Sequence, residues 1–302
     1  MTGTASPSTS DRIGDEDAAA VRALVDAAAQ ADGIAPVSEQ ILINLRHGGP
    51  GILHVLARAG GGAGSVAGYA QLDTSGDGAA TAELVVDPRS RRQGIGTVLV
   101  DEVVARAGGP VEVWAHGEHP GAARLAATHD MAKVRELWQM RRELTEPLPA
   151  AAFPEGVELR AYEPGRDEAE FLRVNNAAFD WHPEQGGWTH EQVARREAEP
   201  WFDPAGFLLA VEGDRLLGYH WTKVHPAGPE GPAIGEVYVL GVDPAAQGRR
   251  LGGALTIAGL EHLRSQGLDA VMLYVESDND PAVAVYRRLG FTPWRVHSMY
   301  RN

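Results

Sequence analysis

Apolar positions along this chain follow two rhythms, and both halves run through those rhythms in nearly the same order. Val21, Leu24, Val25 and Ala28 fall at helical spacing and predict a helix over about 17–31. Ser38 is placed to cap a second helix that turns Ile41, Leu42 and Leu45 inward. Strands are expected at 52–57, 66–72 and 81–86. Beyond a glycine-rich loop, Ile95, Val98, Leu99 and Val103 mark the buried stripe of another helix. A strand at 111–115, a short helix from Pro120 and a strand at 133–144 complete the first half.

The stretch 145–156, rich in Pro and Ala, reads as a linker. After it come a strand at 157–162, a helix at 167–178, and a hairpin pairing 207–211 with 216–223 across Gly213-Asp214. A strand at 236–242 leads through a second basic, glycine-bearing loop into a helix ending near Gln266. A strand at 270–275 and a helix carrying Tyr286 follow. The expected architecture is α/β: two tandem domains, 11–144 and 157–302, each a mixed sheet flanked by helices, after a polar disordered tail at 1–10.

The loops carry one motif written twice. The first copy runs Leu84-Val-Val-Asp-Pro-Arg-Ser-Arg-Arg-Gln-Gly-Ile-Gly-Thr-Val-Leu99, the second Leu240-Gly-Val-Asp-Pro-Ala-Ala-Gln-Gly-Arg-Arg-Leu-Gly-Gly-Ala-Leu255. Asp87-Pro88 aligns with Asp243-Pro244 and Gly96 with Gly252, without gaps. A strand, a basic loop and a helix N-terminus in this order build an anion site, because loop amides and the helix start converge on negative oxygens.

Arg91-x-x-Gly94-x-Gly96 resembles the pyrophosphate loop of the GCN5-related N-acetyltransferases, the GNAT family. Near the C-terminus, Asn279-Asp-Pro-Ala-Val-Ala-Val-Tyr286-Arg-Arg-Leu-Gly-Phe291 resembles the segment that follows the family's fifth strand. The resemblance implies acetyl-CoA as co-substrate, held by as many as one site per domain. In the first half the implied contacts are Leu84, Val85, Val86, Arg91, Arg92, Gln93, Gly94, Ile95, Gly96 and Thr97. In the second they are Leu240, Gly241, Val242, Gln247, Gly248, Arg249, Arg250, Leu251, Gly252 and Gly253. Asn279, Asp280, Pro281, Ala282, Val283 and Ala284 would lie beside the pantetheine arm. The second copy departs from the pattern at Arg250, which stands where a glycine is expected. A register shifted to Arg249-x-x-Gly252-x-Ala254 restores the pattern but breaks the alignment on proline, so the alignment on proline is kept.

Composition narrows the functions available. At 302 residues the chain has room for two domains with separate cores. A net charge of −14 argues against nucleic acid, so an anionic co-substrate has to be met locally by Arg89, Arg91, Arg92, Arg249 and Arg250. The same acidity suits a cationic amine, and serves solubility equally well. Cysteine is absent, which excludes disulfides, a thiol nucleophile and thiolate metal ligands. The His residues show no metal-ligand spacing, and no apolar run approaches a membrane span. A cytoplasmic monomer without metal, nucleic acid or membrane is expected.

Acetyl transfer from a thioester to an amine needs a base for the ammonium proton and an acid for the leaving thiolate. Glu236 lies in the strand that ends at the second loop, on one face with Tyr238, Leu240 and Val242 by the period of two. Its aligned position in the first half is Ala80, and that of Tyr286 is Leu125. A lone strand-end Glu is as often a solvated carboxylate, and a Tyr on an amphipathic helix is ordinarily a core residue. Their joint presence in one half favours Glu236 as base and Tyr286 as acid, with a first half that binds acetyl-CoA without catalysis.

Segments such as His182-Pro-Glu-Gln-Gly-Gly-Trp188 and Trp221-Thr-Lys-Val-His-Pro226 resemble the tandem acetyltransferases that complete mycothiol in actinobacteria. That resemblance implies a small acceptor, the cysteinyl amine of a cysteine–glucosamine–inositol pseudodisaccharide. It also implies acceptor contacts from Glu39, Glu184, Lys223, Glu236 and Tyr274, whose groups can pair with sugar hydroxyls or an ammonium. Two other readings stand beside it: a tandem acetyltransferase for another small amine, and a non-catalytic acyl-CoA sensor.

Overall fold

Helical stripes and alternating strands resolve into the expected elements with three additions. The computed structural model describes residues 7–59, 64–76, 78–181, 185–228 and 231–302, and its contacts divide the chain into two compact units.

In the first unit, α1 (Asp15–Asp32) opens on Asp15, Glu16 and Asp17, which suit the positive end of the helix dipole. It ends at Gly33, whose φ of 68° is the left-handed cap that glycine adopts without strain. Val21, Leu24, Val25 and Ala28 are buried as expected, together with Ile41 and Leu45 of α2 (Glu39–His47). Both helices cover one face of a sheet ordered β1 (Ser8–Ser10), β2 (Ile52–Arg58), β3 (Val66–Asp73), β4 (Ala80–Val86) and β5 (Val111–Ala115). On the other face, α3 (Ile95–Ala107) packs Ile95, Leu99, Val100 and Val103 against Val55, Ala70 and Ala82. The crossover through α3 makes β4 and β5 parallel, and α4 (Pro120–Thr128) follows β5.

The tail expectation fails at its end. Ser8–Ser10 forms β1 antiparallel to β2, with Thr9 opposite Val55, because an otherwise open edge of β2 offers ladder groups even to polar residues. Residues 1–6 of that expected tail lie outside the described residues.

In the second unit the order is β7 (Glu158–Ala161), β8 (Phe207–Glu212), β9 (Arg215–His225), β10 (Ile234–Val242) and β11 (Ala270–Glu276). The hairpin turns at Gly213 with φ 61°, as its Gly-Asp pair predicts. One face carries α5 (Glu168–Ala178) and α6 (His190–Glu197) over an aromatic core in which Phe207 stacks on Trp221 with centroids 4.4 Å apart. Such pairs add ~0.5–1.5 kcal/mol each beyond burial. The other face carries α7 (Leu251–Ser265), so close to β9 that a Cβ at Gly259 would lie 2.1 Å from the His220 ring. The short α8 (Asp280–Arg288) follows β11.

Two further additions were invisible to pattern. Helix α6 buries only Val193 and is otherwise polar, so it shows no apolar stripe. The last strand, β12 (Thr292–Arg301), buries His297 and Met299, and a histidine on the inward face hides the alternation. Its residues Ser298 to Arg301 pair antiparallel with Ala115 to Glu112 of β5. Arg295–Asn302 therefore pack with the first unit, although sequence order assigns them to the second domain. The strand β6 (Ala132–Glu143) is likewise shared, with residues to Trp138 in the first unit and from Gln139 in the second.

Candidate active site

The two loops adopt the same backbone, residue for residue. Asp87 and Asp243 both stand at φ −48°, each accepting a hydrogen bond from the amide two residues on, Arg89 N at 2.8 Å and Ala245 N at 2.9 Å. Arg91 and Gln247 follow at φ −63° and −61°, both extended. Each loop then needs two left-handed residues. Arg92 (φ 65°) and Gly94 (φ 85°) supply them in the first, Gly248 (φ 81°) and Arg250 (φ 63°) in the second. The departure at Arg250 is thus one half of an exchange: Arg-x-Gly in one loop, Gly-x-Arg in the other. Each loop holds one glycine and one strained arginine, and a left-handed non-glycine costs ~1–2 kcal/mol. The alignment on proline is the structural one. Gly94 and Arg250 are the N-caps of α3 and α7, with no side chain satisfying the first helical amides, so those amides face the loop hollow.

The loop arginines are not uniformly directed at that hollow. Arg91 makes a two-pronged ion pair with Asp32 of α1 at 2.8 and 2.6 Å and donates to Val86 O. Arg249 pairs with Glu212 at 2.7 Å. Beneath the second loop, buried Asp243 takes ion pairs from Arg173 at 2.8 Å and Arg215 at 3.2 Å. Burial pushes the Asp243 carboxyl up, but these partners outweigh it and hold it below its ordinary value.

A groove of about 460 Å³ runs beside the second loop. It gathers the sequence candidates Leu240, Gly241, Val242, Gln247, Asn279 and Pro281, and adds Phe179 and Trp181, which pattern alone did not single out. Asn279 caps α8, its side chain accepting from Ala282 N at 3.2 Å. Five residues after Pro281, Tyr286 packs edge-on against Phe291 at 5.7 Å. Burial raises its hydroxyl to about 12, so at neutral pH it is a proton donor. Helix-start amides and the polar cap of Asn279 can hold negatively charged oxygens at the loop.

The strand above the loop departs from regular pairing. In β10 the register with β9 slips between Val237, opposite Thr222, and Val239, opposite Trp221, leaving Tyr238 as the extra residue of a β-bulge. Past the bulge the sides are exchanged. Tyr238 packs with Trp221 and Trp201, whereas Leu240 and Val242 pack toward Leu251 and Leu255 of α7. The expectation that Glu236, Tyr238, Leu240 and Val242 share one face therefore holds only for the first two, because one inserted residue shifts the period of two.

Glu236 is buried, opposite Lys223 on β9 and Met272 on β11. Lys223 Nζ lies over the rings of Trp201 (4.4 Å) and Tyr238 (5.2 Å). Tyr274 follows Met272 by two residues, so it shares that face, and its hydroxyl accepts from Gln139 Nε2 at 3.0 Å. Glu236, Lys223 and Tyr274 are thus brought to one side of the sheet. His225, not singled out from the sequence, places Nε2 2.5 Å from Glu236 Oε2. Its spacing of two from Lys223 was the available signal. Glu39 belongs to the first unit as the first residue of α2, and Glu184 lies outside the described residues.

In the first unit the corresponding strand pairs regularly. The β3–β4 ladder runs from Gly68–Val86 to Asp73–Thr81 without a bulge. Glu83, which aligns with Val239 and not with Glu236, is engaged by Ser38 N (2.6 Å), Ser38 Oγ (2.5 Å) and His116 Nε2 (2.8 Å). Ser38 thus donates to Glu83 instead of capping α2 with its side chain, as had been expected. Leu125 stands so close to the loop helix that a Cβ at Gly96 would meet it at 3.0 Å, whereas at Gly252 the nearest atom is at 3.9 Å.

Comparison with known proteins finds one family in both halves. The model of the acetyltransferase (GNAT) family matches residues 19–129 and again 175–291. The chain is 54% identical over 295 residues to the mycothiol acetyltransferase of Nocardia farcinica, covering 96% of this chain and 95% of that one. It is 54% identical over 288 residues to the mycothiol acetyltransferase of Thermobispora bispora, covering 95% and 96%. Among solved structures, a tandem GNAT protein of clavulanic acid biosynthesis superposes with TM-score 0.73 at 20% identity, covering 98% of each chain. A GCN5-related N-acetyltransferase of Sphaerobacter thermophilus does so with TM-score 0.71 at 25% identity, covering 98% and 95%.

Proposed function

The chain belongs to the acetyltransferase (GNAT) family, twice over, and we propose that it acetylates the cysteinyl amine of a cysteine–glucosamine–inositol pseudodisaccharide, forming mycothiol, with the second unit as the catalytic one. The family's co-substrate is acetyl-CoA, whose thioester supplies an activated acetyl group. The observation that carries the assignment of the unit is the bulge at Tyr238. It sets a buried carboxylate, Glu236, on the strand that leads down to the phosphate loop.

In this reading the helix-start amides at Arg250 and Leu251 hold the diphosphate, and Leu240 to Val242 line the arm's path. Glu236 takes the ammonium proton so that the amine lone pair can attack. The C–S bond breaks as the C–N bond forms, and the Tyr286 hydroxyl gives the leaving sulfur its proton. Lys223 and Tyr274, and Glu184 by resemblance, hold the polyhydroxylated acceptor. The first unit binds a second acetyl-CoA at its loop without transfer, since Ala80 and Leu125 stand where the second unit has Glu236 and Tyr286.

The test is acetyl transfer by the purified protein to the cysteinyl pseudodisaccharide against a panel of aminoglycosides and polyamines. A kcat/KM highest for the pseudodisaccharide is expected, and a better panel amine overturns the acceptor. Calorimetric titration of cofactor-free protein should find two acetyl-CoA sites. One site only would mark the first loop as vestigial.

A further inference from the structure

His225 makes the shortest polar contact to Glu236 in the second unit, and nothing in the phosphate loop or the acetyl path accounts for it. Its Nε2 lies 2.5 Å from Glu236 Oε2, a distance that requires a proton between the two atoms. The carboxylate side chain is 7% exposed, the imidazole 34%. The pair therefore has a dry end at the carboxylate and a wet end at the ring. Both residues sit in the last paired rungs of β9 and β10, where His225 is opposite Ile234 and Lys223 opposite Glu236, before the bulge at Tyr238.

We propose that His225 is a positioning residue for the base: its Nε2–H donates to Oε2, fixes the carboxylate plane and leaves Oε1 as the oxygen that takes the ammonium proton. This rests on Glu236 being the base. The step balances simply. The acceptor's N–H bond breaks, an O–H bond forms on Oε1, and that proton later leaves to water. Other charged or titratable groups facing the pair are Lys223 on β9, Tyr274 on β11, Tyr238 on β10 and Arg196 of α6, which donates to the Tyr238 hydroxyl at 3.0 Å. None of them stands between Nε2 and Oε2.

The experiment compares kcat and the KM for acetyl-CoA of the unaltered protein with those of His225→Gln, His225→Phe and Glu236→Gln. The Gln amide can donate to Oε2 in place of the imidazole. His225→Gln is expected to lose only about threefold in kcat. His225→Phe, with no donor, is expected to lose roughly tenfold or more in kcat with the acetyl-CoA KM within twofold. Equal losses in both variants would overturn the proposal and leave His225 a packing residue. Wild-type kcat in both variants overturns it as well. If Glu236→Gln itself keeps full kcat, it is the assignment of the base that fails, and the histidine falls with it.

Discussion

The two phosphate loops have different residues and one backbone, whereas the two strands above them differ both in residues and in ladder. Ala80 and Ala82 stand where the second unit has Glu236 and Tyr238, and β4 runs straight along β3 while β10 bulges at Tyr238. A loop that binds through amides is specified by its dihedral angles, so Arg and Gly can trade the two left-handed positions without changing it. A strand that presents a side chain is specified by its register, and one inserted residue decides which face meets the chemistry. In the first unit Glu83 is a brace holding the start of α2 and His116 of the segment after β5.

The largest effect that could break this comparison is on the chemical step. General acid–base groups supply ~10²–10⁴-fold in rate, so Glu236→Gln and Tyr286→Phe should each lower kcat into that range. Glu236→Gln should recover in part at high pH, where the acceptor amine is already neutral. Gly94→Trp in the first loop should abolish cofactor binding there and leave single-turnover transfer almost intact. Loss of transfer in that variant, with Tyr286→Phe fully active, would reverse the roles of the units.

Next in size is acceptor binding. Lys223→Ala removes a donor worth ~0.5–1.5 kcal/mol and should raise the acceptor KM roughly threefold to tenfold, more than the acetyl-CoA KM. Equal rises for both substrates would indicate damage to the Trp201–Tyr238 packing under the ammonium.

The brace in the first unit has a pH signature. Burial pushes the Glu83 carboxyl up, but His116 and the Ser38 donors more than offset it, so its folded value lies below the ordinary one. A depressed folded value means stability that is present above the unfolded carboxylate range and lost as pH falls. Thermal melts should show the wild type losing more Tm than Glu83→Gln between neutral pH and about pH 3. Parallel curves would show that the carboxylate carries no net charge stabilisation.

The smallest effect sharpens the loop comparison. Arg250→Gly relieves a left-handed non-glycine and should stabilise the second unit by ~1 kcal/mol. Gly94→Ala places a Cβ at φ 85° and should destabilise the first by a similar amount. An unaltered Tm in both would mean that the loops relax without cost.

Sequence by itself determined the tandem organisation, the strand–loop–helix order and most elements to within a few residues, because period and turn chemistry are local. It also brought forward both loops, Glu236 and Tyr286, since the repeat let one half be read against the other, and Asn279 through the family resemblance of the segment that it opens. What only the tertiary structure decided was long-range. It paired Ser298–Arg301 with a strand almost two hundred residues earlier, set the bulge that separates Glu236 from Leu240, and placed His225 against Glu236. A register slip leaves no mark on composition or period until the partner strand is known, and a buried histidine looks polar to any pattern. These are pairwise facts, and a single chain read in order contains only one member of each pair at a time.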